Sequence, residues 1–249
     1  MTDKVREQTT SADDDAARIA DLVVANRILA DQGIIDAFGH VSVRSASNDH
    51  HFYMSRPISP MQVTPDDIME LDEACNPVRE GDRQGYMERF IHGEIYRARP
   101  DVQGIVHTHS PTIIAFSISG VALRPTMTMA AFIGGEAPIF EMRDVAGESS
   151  DLLITDSRRG AALAGTLGKA GVVLMRGHGD TTVGPSVKLA TARAIYAEEN
   201  ARILLDALKL GGPVTCLSGG EAANLDKLNA SDRAIARQWE FWRQKAVGS

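Results

Sequence analysis

The sequence predicts an α/β fold: a single domain of three layers, with a central mixed, mainly antiparallel β-sheet flanked by helices. Three observations carry this reading. Helical and strand-like segments are interleaved, but not in strict βαβ order, and several strand runs suit antiparallel pairing. The 249 residues can build a large core and still form one domain. No internal repeat or low-complexity linker divides them. Residues 1–13 are polar and charged and read as a flexible arm, leaving residues 14–249 as the domain.

The elements follow in order. Asp13 or Asp14 can cap a helix running to about Gln32, with Ile19, Leu22, Val23 and Leu29 at helical spacing. Gly33 follows as its stop. "GHVSVRS" (39–45) alternates as a strand does, and "HFYMS" (51–55) is its expected antiparallel partner. "SRPISPMQV" carries two prolines and reads as a loop. "TPDDIMEL" reads as a short helix, with Thr64 as N-cap and Pro65 at the first position. Residues 84–98 are expected as a helix ended by Pro100, with Met87, Ile91 and Ile95 on one stripe and Glu88 and His92 on another. "VQGIVH" (102–107) is an apolar strand, and a helix opens at Ser110–Pro111. "APIF" is a short strand. The segment ending near Gly168 is helical in its later part. "GVVLMRG" (171–177) has the character of a buried strand, and "DTTVG" (180–184) is extended. Residues 186–210 form the longest clear helix, and a last helix covers roughly 220–246.

Composition excludes several classes. The formal net charge is −7, with 24% charged residues and no dense basic run, which argues against a nucleic-acid binder. The apolar stretches fall far short of the ~20 residues that span a bilayer. The first residues show no secretory signal, so the expected location is cytoplasmic. Cys75 and Cys216 lie far apart without CxxC spacing and are expected to stay reduced.

Chemistry concentrates in the histidines. His107 and His109 stand two apart at a strand end, and residues i and i+2 of a strand share a side. Two imidazoles so placed can reach one ion. His178 ends a second apolar strand and is flanked by glycines that admit close approach. Three neutral imidazoles with an open position suit a catalytic divalent ion, although H-x-H spacing also occurs without metal. Glu88, on the helix that precedes the H-x-H strand, can add a carboxylate.

Together "GHVSVR", "MERFIHGEIYRARPDVQGIVHTHSP" and "VVLMRGHGDTTVG" resemble the class II aldolase/adducin family over roughly residues 15–210. That resemblance implies a class II aldolase-like catalytic domain with His107, His109 and His178 as metal ligands. Glu88 falls at the family's acidic position, able to ligate the metal and to serve as acid/base. His92 matches a recurring family histidine, with packing and hydrogen bonding as the expected role. The resemblance also implies one divalent ion per subunit and a homotetramer with active sites between subunits.

The chain departs from the phosphate-binding loops of the family's aldolases. His40 stands where asparagine is expected. "MSRPISP" places Ser55 and Arg56 in the second loop, and Gly85, Tyr86 and Met87 replace a serine pair. Bare amides and hydroxyls suit phosphate, whereas the planar fork of Arg56 suits a carboxylate. The alternative is that Arg56 only ties down its own loop. His40, Ser55, Arg56 and Tyr86 are the candidate substrate-binding residues for a small carboxylated substrate without phosphate. This pattern is similar to the family's decarboxylase branch, which acts on 3-hydroxy-2-methylpyridine-4,5-dicarboxylate and on hydroxylated phthalates.

By that resemblance the expected activity is decarboxylation of a hydroxylated aromatic or pyridine dicarboxylate through metal-stabilised enolate chemistry, akin to a retro-aldol step. Glu88 is expected to have a raised pKa and to deliver the proton. Three imidazoles and a carboxylate suit zinc, manganese or other divalent ions; the decarboxylase resemblance implies manganese, and the aldolases favour zinc. Two further readings stay open. One is an aldolase or dehydratase on an unphosphorylated hydroxy acid or sugar; the other is a non-catalytic assembly domain of the adducin kind. The aromatic cluster Trp239, Phe241 and Trp242 on the last helix is expected to pack on its own subunit rather than close a neighbour's site.

Overall fold

A computed structural model of the chain describes residues 11–79 and 85–247. Seven strands form one sheet: β1 (His40–Arg44), β2 (Phe52–Ser55), β3 (Ile68–Leu71), β4 (Gly104–Thr108), β5 (Ile139–Phe140), β6 (Val172–Met175) and β7 (Gly179–Gly184). Their order across the sheet is β3-β2-β1-β4-β7-β6-β5. Every pairing is antiparallel except β5 with β6. The mixed, mainly antiparallel sheet of the sequence reading is therefore what forms.

Helices cover both faces, which gives the three layers. On one face lie α2 (Phe90–Ala98), the single turn α4 (Arg143–Ala146) and α5 (Ser157–Leu167). Ile91, Ile95 and Leu163 meet Phe52, Ile105, Val173 and Val183 there, all at 2% exposure or less. On the other face lie α1 (Ser11–Asp31), α3 (Pro111–Ser119), α6 (Val187–Lys209) and α8 (Asp232–Val247), with α7 (Gly219–Asn229) packed near them. Leu22, Ile28 and Leu29 of α1 pack with Val41, Val43 and Val106. Each such buried side chain contributes roughly 1.5–3 kcal/mol. Trp239 and Trp242 join this second cluster in their own chain, while Phe241 stays exposed.

The strand period of two decides which side chains can form a site. Val41, Val43 and Val106 face α1 and α6. The alternate residues His40, Ser42 and His107 therefore face α2. His40 and His107 are direct cross-strand partners. At Gly104, an added Cβ would sit 2.5 Å from the Val187 backbone. That absence of a side chain lets α6 start hard against β4.

Several expectations are corrected. The short helix at "TPDDIMEL" is only a 3-10 turn over Pro65–Asp67, closed by a capping box between Thr64 and Asp67. Residues from Ile68 instead pair with β2, burying Met69 and Leu71. The helix expected over 84–98 begins at Phe90, and Gly85–Arg89 form the turn that leads into it. Gln84 lies outside the described residues. The last helix is two, α7 and α8, separated at Ala230–Ser231, where Ser231 Oγ donates to Leu228 O. The first helix runs from Ser11, with Asp13 and Asp14 in its first turn. Residues 1–10 of the expected arm lie outside the described residues. Among the described residues, no helix is long and apolar enough to cross a membrane.

Candidate metal centre

β4 presents His107 near its end, and His109 follows just beyond it. His178 lies in the tight turn from β6 to β7, where Gly177 takes a φ of +67°. His178 N–H closes that turn onto Met175 O. Glu88 comes from the turn before α2. One ligand atom from each of Glu88, His107, His109 and His178 lies within 4.8 Å of all the others, a group that could hold a metal ion.

The hydrogen bonds of these imidazoles fix their tautomers. His107 Nδ1 is 3.0 Å from Asp180 O, and His178 Nδ1 is 3.1 Å from Leu152 O. A carbonyl oxygen only accepts, so both Nδ1 atoms carry the proton and both Nε2 atoms present lone pairs. His109 Nε2 sits 3.3 Å from His107 Nε2 and 3.0 Å from His178 Nε2. It can donate to at most one of them. Glu88 Oε2 adds negative charge at 3.4 Å from His178 Nε2 and 4.0 Å from His107 Nε2. These converging acceptors have too few protons to satisfy one another, and a divalent cation at their centre meets that need.

Burial holds His107 and His109 below the ordinary imidazole range, with neighbouring imidazoles adding to the effect. Both therefore stay neutral, as metal ligands must be. Burial alone would push Glu88 up. The adjoining His178 and His107 imidazoles and the Ile154 N–H outweigh it and hold the carboxyl at about 2. The Ile154 N–H donates to Glu88 Oε1 at 2.8 Å. This corrects the expectation of a raised Glu88 pKa: the group is a carboxylate, not a standing acid.

A cavity of about 750 Å³ opens beside these ligands. Glu88 and His109 reach it, with His40 and Tyr86, and its apolar wall comes from Ala37, Phe38, Ile58 and Leu153. The four candidate substrate residues divide. His40 and Tyr86 line the cavity. Ser55 is buried behind it, 3.5 Å from the Tyr86 hydroxyl. Arg56 is not brought to the wall: its Nε donates to Asp67 Oδ1 at 2.7 Å, tying its loop to the turn before β3. Among the described residues of the wall there is no Arg or Lys.

Sequence reasoning passed over other participants. Asp180, buried between β4 and β6, orients His107 through its carbonyl and accepts from Thr108 Oγ1. Among the described residues its other carboxylate oxygen has no partner, and burial raises the group to about 7. The signal for it was the residue after G-H-G. The 152–154 segment supplies the Leu152 carbonyl, the Leu153 side chain and the Ile154 N–H. Backbone contributions of that kind leave no residue-type signature.

Comparison with known proteins agrees with this architecture. The family model described as "Class II Aldolase and Adducin N-terminal domain" matches residues 20–205. Decarboxylase tropJ of Talaromyces stipitatus is 36% identical over 237 residues, covering 86% of this chain and 88% of its own length. A 3,4-dihydroxyphthalate decarboxylase of Arthrobacter keyseri is 28% identical over 225 residues, covering 84% and 86% respectively. Among solved structures, L-fuculose 1-phosphate aldolase from Glaciozyma antarctica superposes with a TM-score of 0.78 at 26% identity, covering 98% of this chain and 93% of that one.

Proposed function

Because the chain belongs to the class II aldolase and adducin family, we propose that it is a divalent-metal-dependent decarboxylase of a hydroxylated aromatic or pyridine carboxylic acid. The observation that carries this reading is the convergence of three imidazoles and one carboxylate beside an apolar cavity that suits a planar ring. Likeness to decarboxylases over more than four fifths of the chain supports it.

Glu88, His107, His109 and His178 would hold one divalent ion, and the resemblance to the decarboxylase branch makes manganese our first choice and zinc the second. When bound, the ion supplies Lewis-acid stabilisation of negative charge on a substrate oxygen, worth several kcal/mol. The remaining steps belong to the protein. Held ionised, Glu88 takes the proton of the substrate's ring hydroxyl. It passes that proton to the ring carbon bearing the leaving carboxylate, which becomes a β-keto acid. The C–C bond to the carboxylate then breaks and CO2 departs. The electron pair returns through the ring to the oxygen, leaving a phenolate with hydrogen in place of the carboxylate. Solvent restores the hydroxyl proton. The apolar wall of Phe38, Ile58 and Leu153 limits water around the departing group.

Exposed Phe38 and Met87, which line the cavity, fit a mouth covered by a neighbouring subunit, and a homotetramer is the assembly we propose. A cytoplasmic location fits two free cysteines.

The test is metal analysis of the purified protein, followed by CO2-release assays on hydroxylated benzene and pyridine dicarboxylates with and without manganese. Metal-dependent CO2 release is the expected result. Aldehyde release from hydroxy acids or sugars, with no CO2 from any aromatic acid, would overturn the proposal.

A further inference from the structure

Behind the cavity wall runs a fully buried chain of four polar side chains. His40 Nδ1 is 2.7 Å from His92 Nε2, and His92 Nδ1 is 2.6 Å from Ser42 Oγ. Ser42 Oγ is in turn 2.8 Å from the Tyr96 hydroxyl. His92 and Ser42 are wholly shielded from solvent, and His40 and Tyr96 nearly so. Tyr96 is held in place by Arg44, whose guanidinium lies 4.7 Å from the ring centroid and donates to the Tyr96 carbonyl.

The chain can be protonated in only one direction without leaving a buried donor unused. The Tyr96 hydroxyl finds no acceptor except Ser42 Oγ among the described residues. Burial pushes the phenol up and holds His92 at about 3, so Tyr96 keeps its proton and His92 stays neutral. If Tyr96 donates to Ser42, Ser42 donates to His92 Nδ1. His92 Nε2–H then donates to His40 Nδ1. The reverse direction would strand the Tyr96 O–H in the core, at a cost comparable to a lost hydrogen bond.

We infer that Tyr96, Ser42 and His92 act as a tautomer lock that holds His40 as an Nε2–H donor facing the cavity, where it binds an oxygen of the substrate's carboxylate. The substrate half of this statement rests on the decarboxylase reading; the lock does not. His40 Nε2 has no partner among the described residues, and its ring lines the cavity beside Glu88. With Arg56 engaged by Asp67, a carboxylate at this wall meets the His40 N–H, the neutral side chains of Ser59 and Tyr86 and apolar surface, with no Arg or Lys among the described residues. That suits a group that must lose its charge as CO2 leaves. A cationic partner would stabilise the carboxylate more than the transition state. His40 is the substrate contact; His92, Ser42 and Tyr96 are positioning residues.

The test reads the tautomer directly. In zinc-loaded, 15N-histidine-labelled protein, multiple-bond 15N–1H spectra should show His40 with a protonated Nε2 and a bare Nδ1. A protonated Nδ1 in the wild type would overturn the lock without any variant. His92→Leu should leave His40 with mixed tautomers, and His92→Gln, whose amide can donate to His40 Nδ1, should restore the single form. With 3,4-dihydroxyphthalate as the probe, kcat/KM should fall about tenfold in His92→Leu, the size of one neutral hydrogen bond, and recover in His92→Gln. A single Nε2–H tautomer in His92→Leu would refute the role of the chain. A correct tautomer in a protein that decarboxylates no aromatic acid would refute the proposed function and leave the lock standing.

Discussion

Replacing Gly179 by alanine tests whether the ligand geometry is set by the β4–β7 contact. A Cβ at this position would lie 1.8 Å from Thr108 O, 2.9 Å from Thr108 C and 3.1 Å from His109 Cα. Ordinary contact begins at 3.4 Å, so the closest approach falls short by about 1.6 Å, and backbone atoms cannot rotate away as a side chain could. β4 and the turn before β7 must separate by a distance of that order. The first carries His107 and leads into His109; the second carries His178. Metal–ligand distances tolerate only about 0.2 Å, so the site should lose its ion while the rest of the sheet persists. Overpacking costs about 1–3 kcal/mol, or roughly 2–12 °C in melting temperature for a chain of this size.

The assay is metal content per chain after dialysis, with melting curves in the presence and absence of added manganese. In the wild type, an ion at a hundred times its Kd should add about 2.7 kcal/mol of stability; in Gly179→Ala it should add nothing. Gly165→Ala is the control. It lies within α5, and its added Cβ meets nothing within 4 Å. It should retain the ion and gain roughly 0.5–1 kcal/mol. A Gly179→Ala protein with one ion per chain and a wild-type response to manganese would refute the reasoning.

Other outcomes follow from individual residues. Glu88→Gln keeps an acceptor for the Ile154 N–H but loses the charge, so metal-loaded protein should turn over at least 100-fold more slowly; full turnover would remove Glu88 from the proton path. Arg56→Ala breaks the pair with Asp67, which is partly exposed, and should cost about 0–1 kcal/mol with KM nearly unchanged. A tenfold rise in KM would place Arg56 on the substrate. Burial pushes the Cys75 thiol up to about 12, so at pH 8 it stays protonated, and iodoacetamide should modify native protein only at the less buried Cys216; mass spectrometry showing two modifications would contradict this. The hydrogen bond and charge of Glu73 raise the pKa of exposed His50. Its protonated form is thus favoured in the fold, an effect present at low pH and lost as pH rises through the folded pKa. NMR titration should show that midpoint fall in Glu73→Gln.

Much of the site was legible because its residues obey local rules. H-x-H spacing at a strand end puts two imidazoles on one side, and glycines around His178 mark a tight turn. Glu88 was legible by position but not by conformation. A helical stripe predicted it on α2, whereas Arg89 pins the preceding turn by donating to the carbonyls of Cys75 and Tyr86. β3 was hidden for a related reason. The Thr64–Asp67 capping signal is real, but it closes one turn, and pairing with β2 then claims Ile68–Leu71. Arg56 was the harder case. A guanidinium in a loop suits a carboxylate, and the carboxylate it meets belongs to Asp67, eleven positions away with no periodic relation to it.

That exchange changes what the cavity can select. Three imidazoles and a carboxylate around one ion would serve any reaction that builds negative charge on an oxygen, so the ligand set alone does not choose among cleavages of C–C bonds. The wall chooses. A phosphate carries two charges and is best held by several donors or a cation, whereas this wall offers mainly Phe38, Ile58 and Leu153, the hydroxyls of Ser59 and Tyr86 and, among its described residues, no Arg or Lys. A planar ring gains from those apolar contacts. A single carboxylate can be held by the Nε2–H of His40 without being stabilised so strongly that it resists leaving. The four buried groups from His40 to Tyr96 would then matter for the direction in which their protons point, and their replacement should alter catalysis even where packing survives.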